Sequence, residues 1–216
     1  MTAAGRLIVV GGGGFGRELI GHILDVHRSG GGPAAGGYLD DGGSEVLARL
    51  GYDLPWIGSI ADYVPAKGDR FALGIGGPEG KRQVVEKLQS RGAEFAQVIH
   101  PTALVTARTE IGEGVVLGPF TGTGTETRIG RFVTVNSYSG FGHDAEAGEF
   151  TTLSAHVDIM GFARIGSGVF IGSNASIMPN VKVGDGARIG AGAIVYRSVP
   201  AGATAYAPPA KLLKRR

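Results

Sequence analysis

Large apolar residues recur every six positions through the C-terminal half of the chain, from Ile111 to Val195. Thirteen of these fifteen positions carry a large apolar side chain. The position four residues after each of them, from Val115 to Val199, is always small or β-branched. An α-helix repeats every ~3.6 residues and an ordinary strand about every two, so neither explains this period. Six residues are enough for one short strand and one turn.

This spacing predicts a left-handed parallel β-helix built from hexapeptide repeats, in which three repeats close one triangular coil. The large residue faces the inside of the prism, and the smaller residue fits the corner. Glycine follows the large residue in ten of the fifteen repeats, and we expect these glycines to relieve strain in the corner backbone. Five coils should span 111–200, with a less regular coil beginning near Val105. A loop and short helix within 200–216 should cap the last coil.

The N-terminal half follows a different pattern, in which an apolar strand leads through a glycine-rich turn into a helix. The strand is predicted at 6–10 and the helix at 17–26, and Gly11, Gly13 and Gly16 form the motif G-x-G-x-x-G between them. In this context the motif predicts a Rossmann-like domain that holds a phosphate at the helix N-terminus. Further strands are predicted at 37–39 and 71–75, and a further helix at 79–90.

The nucleotide that this turn would hold is predicted from the length of the domain. Residues 1–98 provide only one half of a dinucleotide fold, which favours a nucleotide-sugar over NAD. Asp40 and Asp41 follow the second strand, where carboxylates can accept hydrogen bonds from a ribose or a base. A purely structural glycine turn is the alternative. The predicted organisation is a nucleotide-sugar-binding domain at 1–98, a β-helix at 99–200, and a C-terminal cap and tail at 201–216.

Composition and charge exclude several classes of function. The chain has no cysteine, which excludes disulfides, thiolate metal sites and a cysteine nucleophile. A formal net charge of +2 gives no reason to expect a nucleic-acid partner. No run of about 20 apolar residues is present, so we expect no membrane association and a cytoplasmic protein.

The chain resembles the bacterial sugar acyltransferase family, which includes sialic acid O-acetyltransferases and nucleotide-aminosugar N-acetyltransferases. The resemblance is carried by the repeats and by residues 9–18, 38–41, 99–103, 142–144 and 209–211. It implies an acyl-CoA-dependent acyltransferase, with acetyl-CoA as co-substrate and a nucleotide-sugar as acceptor. It also implies a homotrimer with the coenzyme lying between neighbouring β-helices.

The resemblance assigns site residues as well. His143 would be the catalytic base, and Asp144 the acid that raises its basicity. The other implied contacts are Gly13, Gly14 and Phe15 to the diphosphate, Asp40 and Asp41 to the base or ribose, and Thr152, Gly161, Ser173 and Ala191 to coenzyme A. The chain departs from the family at two of these positions, because Thr152 replaces a second histidine found in many members and Phe15 replaces a histidine beside the diphosphate.

Acyl transfer from a thioester requires a proton acceptor beside the attacking amine or hydroxyl, and a neutral imidazole suits that task. His143 follows the core residue Phe141 by two positions, which predicts that it lies outside the prism, and the repeat looks disturbed around 137–140. His156 is the competing base. We favour an amine as acceptor over a hydroxyl. A second hypothesis is a non-catalytic nucleotide-sugar-binding trimer. A third is a zinc enzyme, which would need three converging histidines; we expect no metal.

Overall fold

The N-terminal half of the protein is a parallel sheet with helices packed against it. The structure is a computed structural model that describes residues 6–212. The elements of this half are β1 (Leu7–Val10), α1 (Gly14–Arg28), β2 (Ala35–Leu39), α2 (Glu45–Ala48), β3 (Trp56–Gly58), β4 (Arg70–Leu73), α3 (Pro78–Gln89) and β5 (Glu94–Phe95). The strands are parallel in the order β3-β2-β1-β4-β5. The continuously apolar strand β1 is buried along its whole length and lies at the centre.

The predicted strands and helices of this half are present, with boundaries shifted by one to three residues. The strand predicted at 71–75 ends at Leu73. The chain then turns at Gly74, where an added Cβ would lie 2.8 Å from the Cα of Gly16. Strand and helix approach so closely here that only glycine fits at this point. The helix predicted at 79–90 begins at Pro78, whose fixed φ suits a first helical position.

The C-terminal half is a β-solenoid of parallel two-residue strands, of the left-handed β-helix type. In chain order the strands are β6 (Val98–Ile99), β7 (Glu110–Ile111), β8 (Val116–Leu117), β9 (Gly122–Thr123), β10 (Arg128–Ile129), β11 (Thr134–Val135), β12 (Gly140–Phe141), β13 (Glu146–Ala147), β14 (Thr152–Leu153), β15 (Asp158–Ile159), β16 (Arg164–Ile165), β17 (Phe170–Ile171), β18 (Ser176–Ile177), β19 (Lys182–Val183), β20 (Arg188–Ile189), β21 (Ile194–Val195) and β22 (Thr204–Ala205). The second residue of each strand points into the prism, which confirms the six-residue period as the basis of the core.

The solenoid strands form three faces. The first face contains β6, β8, β11, β14, β17, β20 and β22; the second contains β9, β12, β15, β18 and β21; the third contains β7, β10, β13, β16 and β19. Each corner is named for the two faces that it joins, in chain order. The register is unbroken through 137–140, where Gly140 pairs with both Gly122 and Asp158, so the disturbance expected there is absent.

The corner glycines have a different role from the one expected. The left-handed backbone occurs three residues after each core position from Ile111 to Ile189, where most residues are not glycine, as at Phe120 (φ 56°) and Asp144 (φ 58°). The glycine directly after the core residue lies where coils stack. An added Cβ on Gly142 would lie 2.6 Å from the backbone nitrogen of Gly161 in the next coil. Close stacking of coils, rather than corner strain, therefore requires these glycines.

Both ends of the solenoid differ from expectation. The first coil begins with β6, which pairs with β8, rather than near Val105. After β22 the chain has no helix through Leu212, and residues 213–216 of the predicted cap lie outside the described part, as do residues 1–5 of the predicted first domain. Among residues 6–212, no helix combines the length and apolar character that crossing a membrane would require.

The two halves share an apolar interface along the first face and the third–first corner. Phe132 and Phe150 stack on successive coils with ring centroids 5.1 Å apart. Phe95 of β5 meets Phe132 edge to face at 5.1 Å. Both solenoid phenylalanines are buried in one cluster with Val85 and Leu88 of α3. Helix α3 is therefore packed directly against the solenoid.

Candidate active site

An exposed imidazole lies at the second–third corner of the solenoid. The His143 side chain is 58% exposed, and its Nδ1 lies 2.9 Å from Oδ2 of Asp144. Its ring meets Phe162 edge to face, with centroids 5.0 Å apart. An ionised carboxylate can only accept hydrogen bonds, so in the neutral ring this contact favours the tautomer with the proton on Nδ1 and Nε2 as the acceptor. The ring therefore lies outside the prism, as its position in the repeat predicts.

Neighbouring coils make room for this ring and hold Asp144. Gly161 lies 18 residues after His143, at the equivalent place in the next coil. An added Cβ there would lie 2.8 Å from Nε2 and 2.9 Å from Cε1 of His143. Arg164 donates a hydrogen bond to the backbone carbonyl of Asp144 and forms an ion pair with Glu146 at 3.4 Å. The His143 ring is thus placed over a position that must lack a side chain.

A groove of about 660 Å³ runs along the second face toward this corner. Gly122 and Gly140 occupy outward strand positions on its floor, and Gly142 and Gly161 line it at the corner. A Cβ added to Gly122 would meet nothing within 4 Å. Glycine at Gly122 and Gly140 leaves that part of the floor free of side chains, which gives space for an extended ligand, whereas Asp158 beside Gly140 projects a carboxylate on the next coil.

The residues assigned to coenzyme A do not lie together. Ser173 and Ala191 lie on successive coils of the first–second corner, whereas Gly161 lies at the second–third corner. Thr152 is only 3% exposed, in β14 on the first face, where its hydroxyl donates to the carbonyl of Gly76 at 2.9 Å. The structure therefore does not bring Thr152 to His143. Thr152 follows His143 by nine residues, which is one and a half repeats. A residue at this spacing from the corner residue His143 lies on a strand, and here that strand belongs to the face that the N-terminal half covers.

The competing histidine belongs to a different corner. His156 stacks on Tyr138, and Tyr138 stacks on Phe120, with successive ring centroids 4.9 Å apart. This column lies at the first–second corner, so His156 and His143 do not converge. Across residues 6–212, no three histidine, aspartate or glutamate side chains are grouped as metal ligands would be.

The predicted glycine turn leads directly into α1. The helix begins at Gly14, and its N-cap residue Gly13 provides no side-chain cap. A Cβ on Gly16 would overlap the carbonyl oxygen of Gly11, so the last glycine of the motif is sterically required. The backbone N–H groups of the first turn have no intrahelical acceptor and lie at the positive end of the helix dipole. This geometry suits an anion such as a diphosphate.

The two predicted acidic residues hold backbone loops in place. Each carboxylate oxygen of Asp40 accepts a hydrogen bond of 2.7 Å, one from the N–H of Gly12 and one from that of Gly42. Asp41 accepts from the N–H of Ala61 at 2.9 Å. Asp40 therefore fixes the glycine turn to the end of β2, a role that the sequence motif alone did not indicate.

A second glycine loop, which the sequence analysis missed, faces the first. Residues 74–77 connect β4 to α3, whose N-cap residue Gly77 also lacks a side-chain cap. Strands β1 and β4 are neighbours on either side of the point where the strand order reverses. Their loops lie at the carboxyl ends of the strands, the position at which α/β sheets bind ligands. Phe15 lies beside this loop, 3.8 Å from a Cβ built on Gly76. Three glycines just before Pro78 were the sequence signal for this loop.

Comparison with known proteins places these features in a family context. Residues 162–197 match the family model described as bacterial transferase hexapeptide (six repeats). The acetyltransferase domain of PglB from Neisseria gonorrhoeae FA1090, solved in complex with acetyl coenzyme A, superimposes with a TM-score of 0.83 at 26% identity, covering 96% of this chain and 98% of that one. The predicted resemblance to bacterial sugar acyltransferases is confirmed.

Two further solved structures agree over nearly the full length of the chain. PerB from Caulobacter crescentus, in complex with CoA and GDP-perosamine, matches with a TM-score of 0.83 at 25% identity, covering 98% of this chain and 99% of that one. WeeI from Acinetobacter baumannii AYE matches with a TM-score of 0.80 at 28% identity, covering 96% and 99%. The comparison with curated proteins finds no match. The similarity to these bacterial structures thus includes both the glycine-loop half and the solenoid.

Proposed function

We propose that this protein transfers the acetyl group of acetyl-CoA to the amino group of a nucleotide-linked sugar, with His143 as the general base. The observation that carries the proposal is the His143–Asp144 pair at the end of a glycine-floored groove. The complex of PglB with acetyl coenzyme A supports the donor. The complex of PerB with CoA and GDP-perosamine supports a nucleotide-linked sugar as the acceptor.

The chemistry requires one proton transfer and one acyl transfer. The amine nitrogen attacks the thioester carbonyl, a C–N bond forms, and the C–S bond breaks. Nε2 of His143 takes the proton that the amine loses and can return it to the departing sulfur, while Asp144 accepts the Nδ1 hydrogen bond throughout. General-base catalysis of this kind supplies about 10²–10⁴-fold in rate.

The two halves would divide the binding of substrates between them. We assign residues 1–98 to a Rossmann-like nucleotide-sugar domain, 99–200 to the acyltransferase β-helix, and 201–216 to the cap and tail. The diphosphate would lie against Gly13 and Gly14 at the start of α1, next to Phe15. Coenzyme A would occupy the groove of the second face, and a neighbouring copy in a homotrimer would close the open side of that groove.

Replacing His143 by alanine tests the proposed base. We expect kcat for acetyl transfer to a nucleotide-linked amino sugar to fall by about 10²–10⁴-fold, while CoA binding and the oligomeric state are retained. His156→Ala is the matched control, because it removes the exposed histidine of the other corner and should keep nearly full activity. A wild-type rate for His143→Ala, or loss of activity in His156→Ala instead, contradicts the assignment. Resistance of the product to alkaline hydroxylamine distinguishes an amide from an ester.

A further inference from the structure

A lysine side chain crosses the interface between the two halves and is fully buried. Lys81 lies in the first turns of α3, and its ammonium donates to the carbonyl of Phe132 at 2.9 Å, to Oγ1 of Thr134 at 3.2 Å and to the carbonyl of Thr151 at 3.0 Å. An ammonium has three hydrogens, and the solenoid supplies one acceptor for each. Burying a cation without such partners is costly. All three hydrogen-bond acceptors of the Lys81 ammonium thus belong to the solenoid.

A second polar contact joins the same face of the solenoid to the loop before α3. Thr152 is paired with Thr134 in the first face, and its hydroxyl donates to the carbonyl of Gly76 at 2.9 Å. Lys81 follows Gly77 by one helical turn, and its N–H donates to the Gly77 carbonyl at 2.9 Å. The loop at 76–77 and the start of α3 are therefore attached to the solenoid at two points.

We propose that Thr152 and Lys81 are positioning residues for the nucleotide-sugar site, because they fix the 76–77 loop and the N-terminus of α3 as the wall opposite the first glycine turn. The proposal rests on the proposed function. Glycine backbone is conformationally permissive, and α3 begins without a side-chain cap. Neither the glycine backbone nor a helix cap therefore fixes the conformation of residues 76–77. Binding groups must lie within about 0.5 Å of their productive positions. Here the solenoid supplies that constraint from outside the nucleotide-binding sheet.

Thr152→Val tests the hydroxyl with little change of shape. We expect KM for the nucleotide-sugar to rise about tenfold, the effect of losing one buried hydrogen bond, while KM for acetyl-CoA stays unchanged. Thr152→Ser should restore the wild-type value, since it keeps the hydroxyl. The matched control is Thr121→Val, which removes a buried hydroxyl bonded to the Gly118 carbonyl at 2.9 Å, at the first–second corner. A general loss of stability would affect both valine variants and both substrates.

Lys81→Met provides the second variant and should raise the same KM without changing that for acetyl-CoA. The inference is overturned if Thr152→Val behaves like Thr121→Val, if Thr152→Ser fails to restore binding, or if the two KM values rise together. The proposed function has its own failure, in which the wild-type protein acetylates no nucleotide-linked sugar. An active wild type with an unaffected Thr152→Val variant would refute the positioning role alone.

Discussion

The buried amine of Lys81 should make the stability of the protein depend on pH. Comparison of the wild type with the variant Lys81→Met measures this dependence. Burial lowers the pKa of Lys81 from its ordinary 10.5 to about 7, because desolvation penalises the charged form. Between these two values the unfolded chain binds more protons than the folded protein, so the free energy of unfolding rises with pH. The free-energy cost of burying the charged amine is fully present below pH 7 and is relieved as the pH approaches 10.5.

Methionine at this position has a similar length and no proton to lose. The free energy of unfolding of the wild type, minus that of Lys81→Met, should therefore increase with pH by up to about 1.4 kcal/mol per unit. From pH 6 to pH 9, which ends about two units above the lowered pKa, the increase should be about 3 kcal/mol. Subtracting the variant removes every other titrating group, because both proteins share them.

Urea titrations of both proteins at pH 6, 7, 8 and 9 measure this difference through the unfolding midpoint and slope. The expected result is a curve that is flat near pH 6 and rises above pH 7. A difference that stays constant to pH 9 would refute the reasoning, since it would mean that the three oxygen acceptors keep Lys81 protonated despite its burial.

Two glycine substitutions make further predictions. Gly161→Ala should displace the His143 ring, because the new Cβ would lie 2.8 Å from Nε2, and kcat should fall at least tenfold with little loss of stability. The control Gly21→Ala, where a Cβ meets nothing within 4 Å, should keep its activity. Equal activity of the two variants would contradict this prediction. Gly16→Ala forces a Cβ onto the Gly11 carbonyl, so the melting temperature of this variant should fall and its nucleotide-sugar binding should be lost. A variant that binds the nucleotide-sugar as tightly as the wild type, measured by calorimetry, would contradict this.

The fold of the solenoid could be predicted from the sequence because each step of its period repeats one physical requirement. A large residue fills the prism, as Ile159 does, and a small or β-branched residue such as Val157 fits the corner, so an error in phase would expose every core side chain. The same regularity predicted that His143 points outward. It also indicates that Thr152 lies on a strand rather than a corner, an inference that the family resemblance obscured.

The residues that hold the two halves together could not be predicted in this way. Lysine is almost always exposed, and Lys81 lies on a helix whose other charged residues face solvent, so nothing local marks it as buried. Its acceptors are two backbone carbonyls and one hydroxyl that lie 51 to 70 residues away. Likewise, Asp40 resembles a ribose-binding acid in the motif, and only the folded turn reveals its bonds to Gly12 and Gly42. Contacts between distant segments leave no periodic trace in the sequence.

One irregularity in the repeat does mark the candidate site. In most repeats glycine directly follows the core residue, as Gly142 follows Phe141, and the next position carries a side chain. In the repeat after Ile159 this order is changed, because Met160 takes the glycine position and Gly161 the next one. Gly161 is the only glycine at that second position among the fifteen repeats, and it lies where the His143 ring needs space. A glycine displaced by one residue, one coil after an outward histidine, is therefore a sequence signal for an imidazole held above a cleared surface.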